Sequence, residues 1–340
     1  ARWYMPGELG ACLPQLDAIR FERLDVRREP SFKMRWIGGT EKWQLRNRVN
    51  RIRSAFLPPA FTVYPGIYHS QNRWVPTALY ATHPEYFALV GKERLRNPKV
   101  HKLCNSNEEL PRVIAEAMAE ALRDVPGIDL VSLSPTDGQF WCECPRCRRE
   151  DDDTVAPDAG PVPPEQRYSR RQMVLYNRVA AELQKQFPKQ LVLVGAYSTY
   201  TPPPRDRTIR AHENLAVVIC RFSTAVADLA HPVRDGSTGA SRRYLALIRS
   251  WQEQTPHIYF YEYYNKHNWL DLPWPIVHTI AEDIPFFKSL GVEGLHSQYA
   301  NGNIWSNFLP QYVAARLLWD HTANVQDLMD EFYRKFYGRA

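Results

Sequence analysis

Residues 191–197 read LVLVGAY and residues 215–222 read LAVVICRF, two almost uninterrupted apolar runs that decide the fold class. Runs of this kind are typical of parallel strands buried on both faces. The same order of an apolar run, a polar loop and often a helix repeats along the chain. The other predicted strands are SFKMRWI (31–37), AFTVYPG (60–66), YFALVG (86–91) or the later KVHKLC (99–104), DLVSLSP (129–135), HIYFYEYY (257–264) and VEGLHSQ (292–298).

Helices are predicted between and after these strands, from apolar residues spaced three and four apart, over 108–123, 171–187, 276–290, 310–319 and 324–337. Eight strands that alternate with helices indicate an α/β fold, a (β/α)8 TIM-type barrel. The rival is a doubly wound open sheet, but no Gly-rich phosphate loop follows any strand. We therefore predict a lead-in over 1–30, interpreted as the tail of a missing upstream domain, and a barrel with C-terminal helices over 31–340.

Composition restricts the partners of this 340-residue chain. The 43 Lys and Arg residues against 37 Asp and Glu give a net charge of +6 without a basic run, so no nucleic-acid partner is predicted. The sequence contains no apolar stretch of about 18 residues, so insertion into a membrane is not predicted. The 42 aromatic residues (10 Trp, 18 Tyr, 14 Phe) suit a partner with flat apolar faces, such as a sugar ring. An extracytoplasmic location is expected, and the oligomeric state is left open.

Two acidic residues stand at predicted strand ends, where the functional residues of a barrel gather. Asp137 follows the fourth strand in SPTDG, and Glu262 lies among aromatic residues in YFYEYY at the seventh. Glycoside hydrolysis needs two carboxyl groups, one that protonates the leaving oxygen and one that acts as nucleophile or activates water. This pair is the candidate catalytic pair, with Asp137 as the acid, and needs no cofactor. The alternatives are a turn-forming Asp137 and a structural Glu262.

Further polar side chains at strand ends are candidates for substrate binding because they suit hydroxyl or carboxylate recognition. They are Arg35, His69, Asn105, Tyr197, Arg221, Tyr264, His296 and Gln298. Individually, each could instead anchor a loop. Arg35 and Arg221 could hold the carboxylate of an acidic sugar, which favours a uronic or sialic acid substrate.

A cysteine block follows Asp137 directly. Cys142, Cys144 and Cys147 form a C-x-C-x2-C run, and Cys104 lies at a neighbouring strand end. Four thiolates could hold a structural Zn²⁺. A disulfide in an exported protein or free thiols are the alternatives, and the sequence leaves them open.

Several longer motifs resemble a bacterial family known mainly as a domain of unknown function, which is similar to barrel glycosidases and distantly to α-glucuronidases and β-hexosaminidases. The motifs are RWYMPGELG (2–10), PSFKMR (30–35), HPEYFAL (83–89), KLCNSN (102–107), SLSPTDGQFWCECPRC (132–147), YVAARLLWD (312–320) and FYRKFYG (332–338). The resemblance covers nearly the whole chain.

This resemblance implies a TIM-type barrel and a carbohydrate-active enzyme. Relatives usually carry a small α/β domain before the barrel, of which RWYMPGELG would be the last turn. The resemblance also supports Asp137 and Glu262 as the catalytic acids. The adjacent Asp-Glu pair that hexosaminidases use at strand four is absent, so the substrate does not carry over. We expect a glycoside hydrolase; the alternatives are a non-catalytic carbohydrate-binding barrel and a zinc-dependent hydrolase that uses the cysteine block.

Overall fold

The computed structural model describes residues 1–20, 25–51, 61–96, 102–138, 140–152, 161–221, 230–265, 273–298 and 307–338. Its strands are β1 (Arg2–Trp3), β2 (Ala11–Cys12), β3 (Met34–Trp36), β4 (Val63–Tyr64), β5 (Leu89–Val90), β6 (Glu93–Arg94), β7 (Leu130–Leu133), β8 (Leu191–Ala196), β9 (Leu215–Cys220), β10 (Ile258–Glu262) and β11 (Gly294–Ser297). Its α-helices are α1 (Glu41–Arg46), α2 (Gln71–Trp74), α3 (Leu110–Asp124), α4 (Pro145–Arg148), α5 (Ser169–Gln184), α6 (Gly239–Gln252), α7 (Val277–Ser289), α8 (Phe308–Trp319) and α9 (Val325–Phe336). None of the described helices combines the length and hydropathy that a membrane-spanning segment needs.

The chain divides into two compact units, and each contains parallel strands. The first unit comprises Ala1–Phe61, Arg221–Leu245 and Tyr259–Ala340, and its parallel strands follow the order β3-β11-β10. The second comprises Thr62–Cys220 and Ala246–Ile258, with the order β9-β8-β7-β4. Parallel strands joined through helices confirm the α/β class. A complete eight-stranded barrel stays a prediction.

The two apolar runs that predicted the fold form adjacent strands of the second unit. Val192 pairs with Leu215 and Ala196 with Ile219, so β8 and β9 are in register over their whole length. Nearly all residues of both strands are buried, as is typical of parallel strands covered on both faces.

Helix α3 begins at Leu110, two residues after the predicted start at 108. The Asn107 side chain accepts hydrogen bonds from the backbone N–H groups of Glu109 and Leu110, both at 3.0 Å, and so satisfies donors that the helix itself leaves unpaired. Leu110, Ile114 and Met118 are buried on one face, and the helix packs against α5.

One predicted strand lies outside the parallel strands. Neither 86–91 nor the described part of 99–104 lies between β4 and β7, because Val63 pairs directly with Leu130. Leu89–Val90 instead forms an antiparallel hairpin with Glu93–Arg94. The backbone groups of this segment are used elsewhere: Ala88 N–H donates to the Lys102 carbonyl at 3.1 Å, and Glu143 N–H donates to the Leu89 carbonyl at 2.7 Å. An apolar run predicts burial, but it does not specify the partner that receives its hydrogen bonds.

The core of the first unit generates a stability prediction. The Phe287 side chain of α7 is fully buried, and its ring centroid lies 4.5 Å from that of Phe260 on β10 in an edge-to-face contact. We expect Phe287→Ala to lower the free energy of unfolding by about 3–5 kcal/mol, because it leaves a cavity. Phe140→Ala, at a position 49% exposed, is the matched control and should change it by less than ~0.5 kcal/mol. Urea denaturation measures both; equal losses would contradict the described packing.

Candidate functional site

Glu262 is the last residue of β10, a strand with every residue buried, and it pairs in register with Ser297. The carboxyl group is 1% exposed, and its Oε1 accepts a hydrogen bond from the Tyr244 hydroxyl at 3.3 Å. Burial raises the pKa of Glu262 to about 8, and attraction to the Arg221 cation offsets only part of this effect. Glu262 is therefore mainly protonated at neutral pH and can donate a proton.

Arg221 and Asp283 form a buried ion pair in the same unit. The Arg221 guanidinium donates to Asp283 Oδ2 at 2.9 Å and to the His231 carbonyl at 2.8 Å. Asp283 Oδ1 also accepts the backbone N–H of Val233 at 2.6 Å. Burial raises the pKa of Asp283 to about 6, although attraction to the Arg221 cation acts in the opposite direction. Arg221, a predicted sugar contact, is thus engaged inside the protein.

Three predicted site residues lie at the ends of β10 and β11. Tyr264 donates its backbone N–H to Ser297 Oγ at 3.0 Å, and Gln298 donates its own to the Glu262 carbonyl at 2.8 Å. Burial raises the pKa of Tyr264 well above 10 and, together with the Arg51 charge, lowers that of His296 to about 3. Within the described residues, the buried Tyr264 hydroxyl and His296 Nδ1 have no hydrogen-bond partner. Both side chains are neutral at pH 7 and could still form a hydrogen bond.

The Arg35 side chain is hydrogen-bonded to backbone carbonyl groups. Its guanidinium donates to the carbonyls of Arg48 and Phe32, at 3.0 and 2.8 Å, and lies 5.3 Å from the ring centroid of Trp319. Burial, followed by the nearby Arg48 charge, lowers the pKa of Arg35 to about 10. These contacts favour the anchoring alternative over substrate binding.

Asp137 and His69 come together in the second unit. The side chain of Asp137 is 67% exposed, and its Oδ2 lies 3.5 Å from His69 Nε2. Asp137 also donates its backbone N–H to His69 Nδ1 at 3.2 Å. Because Nδ1 of His69 accepts this hydrogen bond, the proton of the neutral ring is on Nε2. Nε2 faces the Asp137 carboxylate. His69 is held in a left-handed backbone conformation, with φ 54°.

Beside Asp137 lies a small cavity whose lining includes Lys102, Trp141, Tyr197 and Tyr200. Lys102 Nζ lies 4.6 Å from the Trp141 ring centroid and donates to the Thr136 carbonyl. Burial lowers the pKa of Lys102 to about 8 despite the opposing charge of Asp137. Burial and that same charge raise the pKa of Tyr197 to about 12, so its hydroxyl stays protonated.

Sequence reasoning missed several residues of these clusters. Lys102 and Trp141 lie inside the motifs KLCNSN and SPTDGQFW, which was the available signal. Phe140, 49% exposed, lies inside the motif SPTDGQFW as well, whereas no sequence pattern marked Tyr68, which is 50% exposed. The Tyr68 ring lies 5.2 Å from that of His69.

The predicted metal ligands meet in the second unit. The four Sγ atoms of Cys104, Cys142, Cys144 and Cys147 lie within 4.8 Å of one another, and all four cysteines are buried and free. Asn105, next to Cys104, is buried as well, and its Nδ2 has no hydrogen-bond partner in the described part of the chain.

Comparison with known proteins gives a family match over nearly the whole chain. Residues 5–340 match the sequence model described as "Domain of unknown function (DUF4838)". No curated protein matches the chain at a significant level.

Similar solved structures include an O-GlcNAc hydrolase mutant from Thermobaculum terrenum (13% identity, 91% of this chain and 64% of that one, TM-score 0.47). They also include CpGH89 from Clostridium perfringens in complex with GlcNAc-α-1,4-galactose (12%, 91% and 31%, 0.42). A third is a GH5-4 endoglucanase from an uncultured bacterium (12%, 63% and 61%, 0.35). The chain thus spans less than two thirds of the length of each of these proteins.

The buried ion pair generates a prediction with a neighbouring control. Asp283→Asn leaves the Arg221 cation buried without its counter-charge, so we expect a loss of about 3–5 kcal/mol in the free energy of unfolding. Glu282 lies on the same helix as Asp283 and forms an exposed ion pair with Arg234. Glu282→Gln breaks this pair and should lower the free energy of unfolding by about 0–1 kcal/mol. Urea denaturation at pH 7 compares the two. A small loss for Asp283→Asn would mean that Arg221 is not held as described.

The raised pKa of Glu262 predicts a pH dependence of stability. The unfolded state releases this proton near the usual pKa of 4.5, whereas the folded state keeps it until about pH 8. The stability that the protonated group contributes is therefore complete below pH 4.5 and falls as pH rises towards 8. Glu262→Gln removes this dependence.

The measurement is urea denaturation of both proteins at pH 5 and pH 7.5. Relative to Glu262→Gln, the wild type should be less stable at pH 7.5 than at pH 5. A difference that is constant, or of opposite sign, would show that the folded pKa is not raised.

Proposed function

The chain belongs to the family described as a domain of unknown function (DUF4838), and we propose that it is a glycoside hydrolase that uses Glu262 and Asp137 as its two carboxyl groups. The observation that carries the proposal is the environment of Glu262. A carboxyl group at the carboxyl end of a parallel strand, with a pKa raised to about 8 by burial, can act as a general acid at neutral pH.

In this proposal, the roles of the two acids are the reverse of those predicted from sequence. Glu262 donates its proton to the glycosidic oxygen as the bond to the anomeric carbon breaks. Asp137, which is largely exposed and lies against His69, acts as the second carboxylate, either as nucleophile or as the base that activates water.

Within each unit taken by itself, some side chains keep an exposed face or an unused polar atom that a sugar could contact. The exposed rings of Tyr68 and Phe140 suit the apolar face of a pyranose. The Tyr264 hydroxyl and His296 Nδ1, unpaired within the described residues, suit sugar hydroxyls.

Recognition of an acidic sugar is not part of the proposal. Its sequence-based support was the pair Arg35 and Arg221. Arg35 donates to backbone carbonyls, and Arg221 is paired with Asp283.

Two other functions remain as outcomes of the test. A carbohydrate-binding protein would retain affinity for glycans without hydrolysis. A zinc-dependent hydrolase needs an open coordination position, but the four cysteines would fill a tetrahedral zinc with sulfur. The cysteine cluster therefore does not favour metal-assisted hydrolysis.

The proposal predicts activity loss with a specific dependence on the leaving group. Glu262→Gln should lower kcat about 10²–10⁴-fold on an oligosaccharide, because the sugar leaving group needs protonation. On a dinitrophenyl glycoside the loss should be much smaller, because that leaving group departs as a stable anion. Asp137→Asn should lower activity on both substrates. Wild-type activity should decline as pH rises through about 8, where Glu262 loses its proton.

Suitable controls are Glu120→Gln and Asp124→Asn, two exposed positions that should keep full activity. A panel of aryl glycosides and glycan mixtures, followed by product analysis, makes the measurement. Hydrolysis that survives both active-site changes would refute the two-carboxylate assignment. Glycan binding without any hydrolysis by the wild type would favour the binding protein.

A further inference from the structure

We infer that Cys104, Cys142, Cys144 and Cys147 bind one Zn²⁺ in a closed tetrathiolate site, and that this site fixes the chain segments that form the wall beside Asp137. The inference concerns a metal centre and does not depend on the hydrolase proposal.

The distances between the sulfur atoms match a tetrahedron around zinc. With a Zn–S bond of about 2.3 Å, the edge of such a tetrahedron is about 1.6 times longer, or ~3.8 Å. Cys104 Sγ lies 3.7 Å from Cys144 Sγ and 3.9 Å from Cys147 Sγ. All four Sγ atoms fall within 4.8 Å of one another, so they surround a common point. Two separate disulfides would instead bring sulfurs together in pairs at about 2.0 Å.

The sulfur atoms also receive the hydrogen bonds that orient metal ligands. Leu89 N–H donates to Cys142 Sγ at 3.3 Å, and Cys147 N–H donates to Cys144 Sγ at 3.4 Å. Ser106 Oγ lies 3.1 Å from Cys147 Sγ and can donate to a thiolate there. Outer-shell donors of this kind hold thiolate ligands in position.

Binding of Zn²⁺ would deprotonate all four cysteines, with release of the protons. Arg94, which hydrogen-bonds to Cys104, would compensate part of the negative charge of the tetrathiolate site.

The ligand set makes the site structural. All four cysteines are nearly inaccessible, at 8% exposure or less, and four sulfurs complete a tetrahedral zinc with no position for water. The metal would join two segments that are far apart in sequence, one around Cys104 and one over 142–147.

These segments carry the wall of the Asp137 cavity. Trp141 immediately precedes Cys142, and Lys102 lies two residues before Cys104. The Lys102 ammonium rests over the Trp141 ring at 4.6 Å, so the contact joins the same two segments that the zinc would link. The loop has a second, metal-independent anchor, because buried Arg171 pairs with Asp151 at 2.6 Å and donates to the Cys142 carbonyl at 2.9 Å. Loss of zinc should therefore loosen the cavity wall without unfolding the rest of the unit.

The first test is metal analysis of the full chain produced in zinc-containing medium. We expect one zinc per chain by elemental analysis, and a native mass that exceeds the denatured mass by one zinc. Cys104→Ser and Cys144→Ser should lose the metal, whereas Cys12→Ser, which lies outside the cluster, should keep it. Wild-type protein without zinc, a disulfide among the four cysteines by mass spectrometry, or iron in place of zinc would each overturn the assignment.

The second test concerns the positioning role and uses wild-type protein. After an organomercurial releases the zinc into a chelator, hydrogen exchange should accelerate at least tenfold in 86–95, 102–107 and 140–152. Exchange in β8 and β9 should stay unchanged. Unchanged protection in the three segments would refute the positioning role, and so would a uniform loss over the whole chain.

Discussion

Burial of charge at the end of β10 is the constraint on which the site of the first unit depends. An isolated carboxylate or guanidinium in an apolar interior is costly, so each such group must be paired, protonated or hydrogen-bonded. Arg221 and Asp283 meet this requirement as an ion pair, with additional bonds to a carbonyl and a backbone N–H. Glu262 meets it by keeping its proton, with Tyr244 as its hydrogen-bond partner. The Arg221 cation is already held by Asp283, so it compensates Glu262 only in part, and the acid stays protonated.

In the second unit, a different set of contacts compensates the buried charged groups. Its loop after β7 leaves Asp137 largely exposed, where water stabilises the carboxylate. The groups that must be buried there are Lys102 and Arg171. Lys102 lies over an aromatic ring and donates to a carbonyl, and Arg171 pairs with a carboxylate. The four cysteines of the same loop region lie close together, and a bound zinc would add a cross-link there.

Sequence patterns were sufficient where burial alone determines structure. Two uninterrupted apolar runs predicted β8 and β9, and Asn107 predicted the start of α3. Sequence patterns failed where the hydrogen-bonding partner decides, as at Leu89, whose backbone pairs with Glu143 and with a short hairpin instead of with the parallel strands. Helix α6 was not predicted, although Tyr244, Ile248 and Trp251 follow a helical period. Residues at strand ends were recognised by position, but position cannot separate Arg35, which binds carbonyls, from His69, which contacts Asp137.

The role predicted for Asp137 from sequence, that of the acid, differs from its role in the proposed chemistry, and the two acids differ in burial. SPTDG and YFYEYY both place an acid at a strand end, and nothing in the letters states how much water reaches each carboxyl group. Asp137 follows its strand by several residues and projects from a loop, whereas Glu262 is still part of its strand and shares its burial. A carboxyl group inside the strand loses contact with water, which favours its protonated form, whereas one on the loop keeps that contact. In the proposed chemistry, this difference in burial assigns proton donation to Glu262.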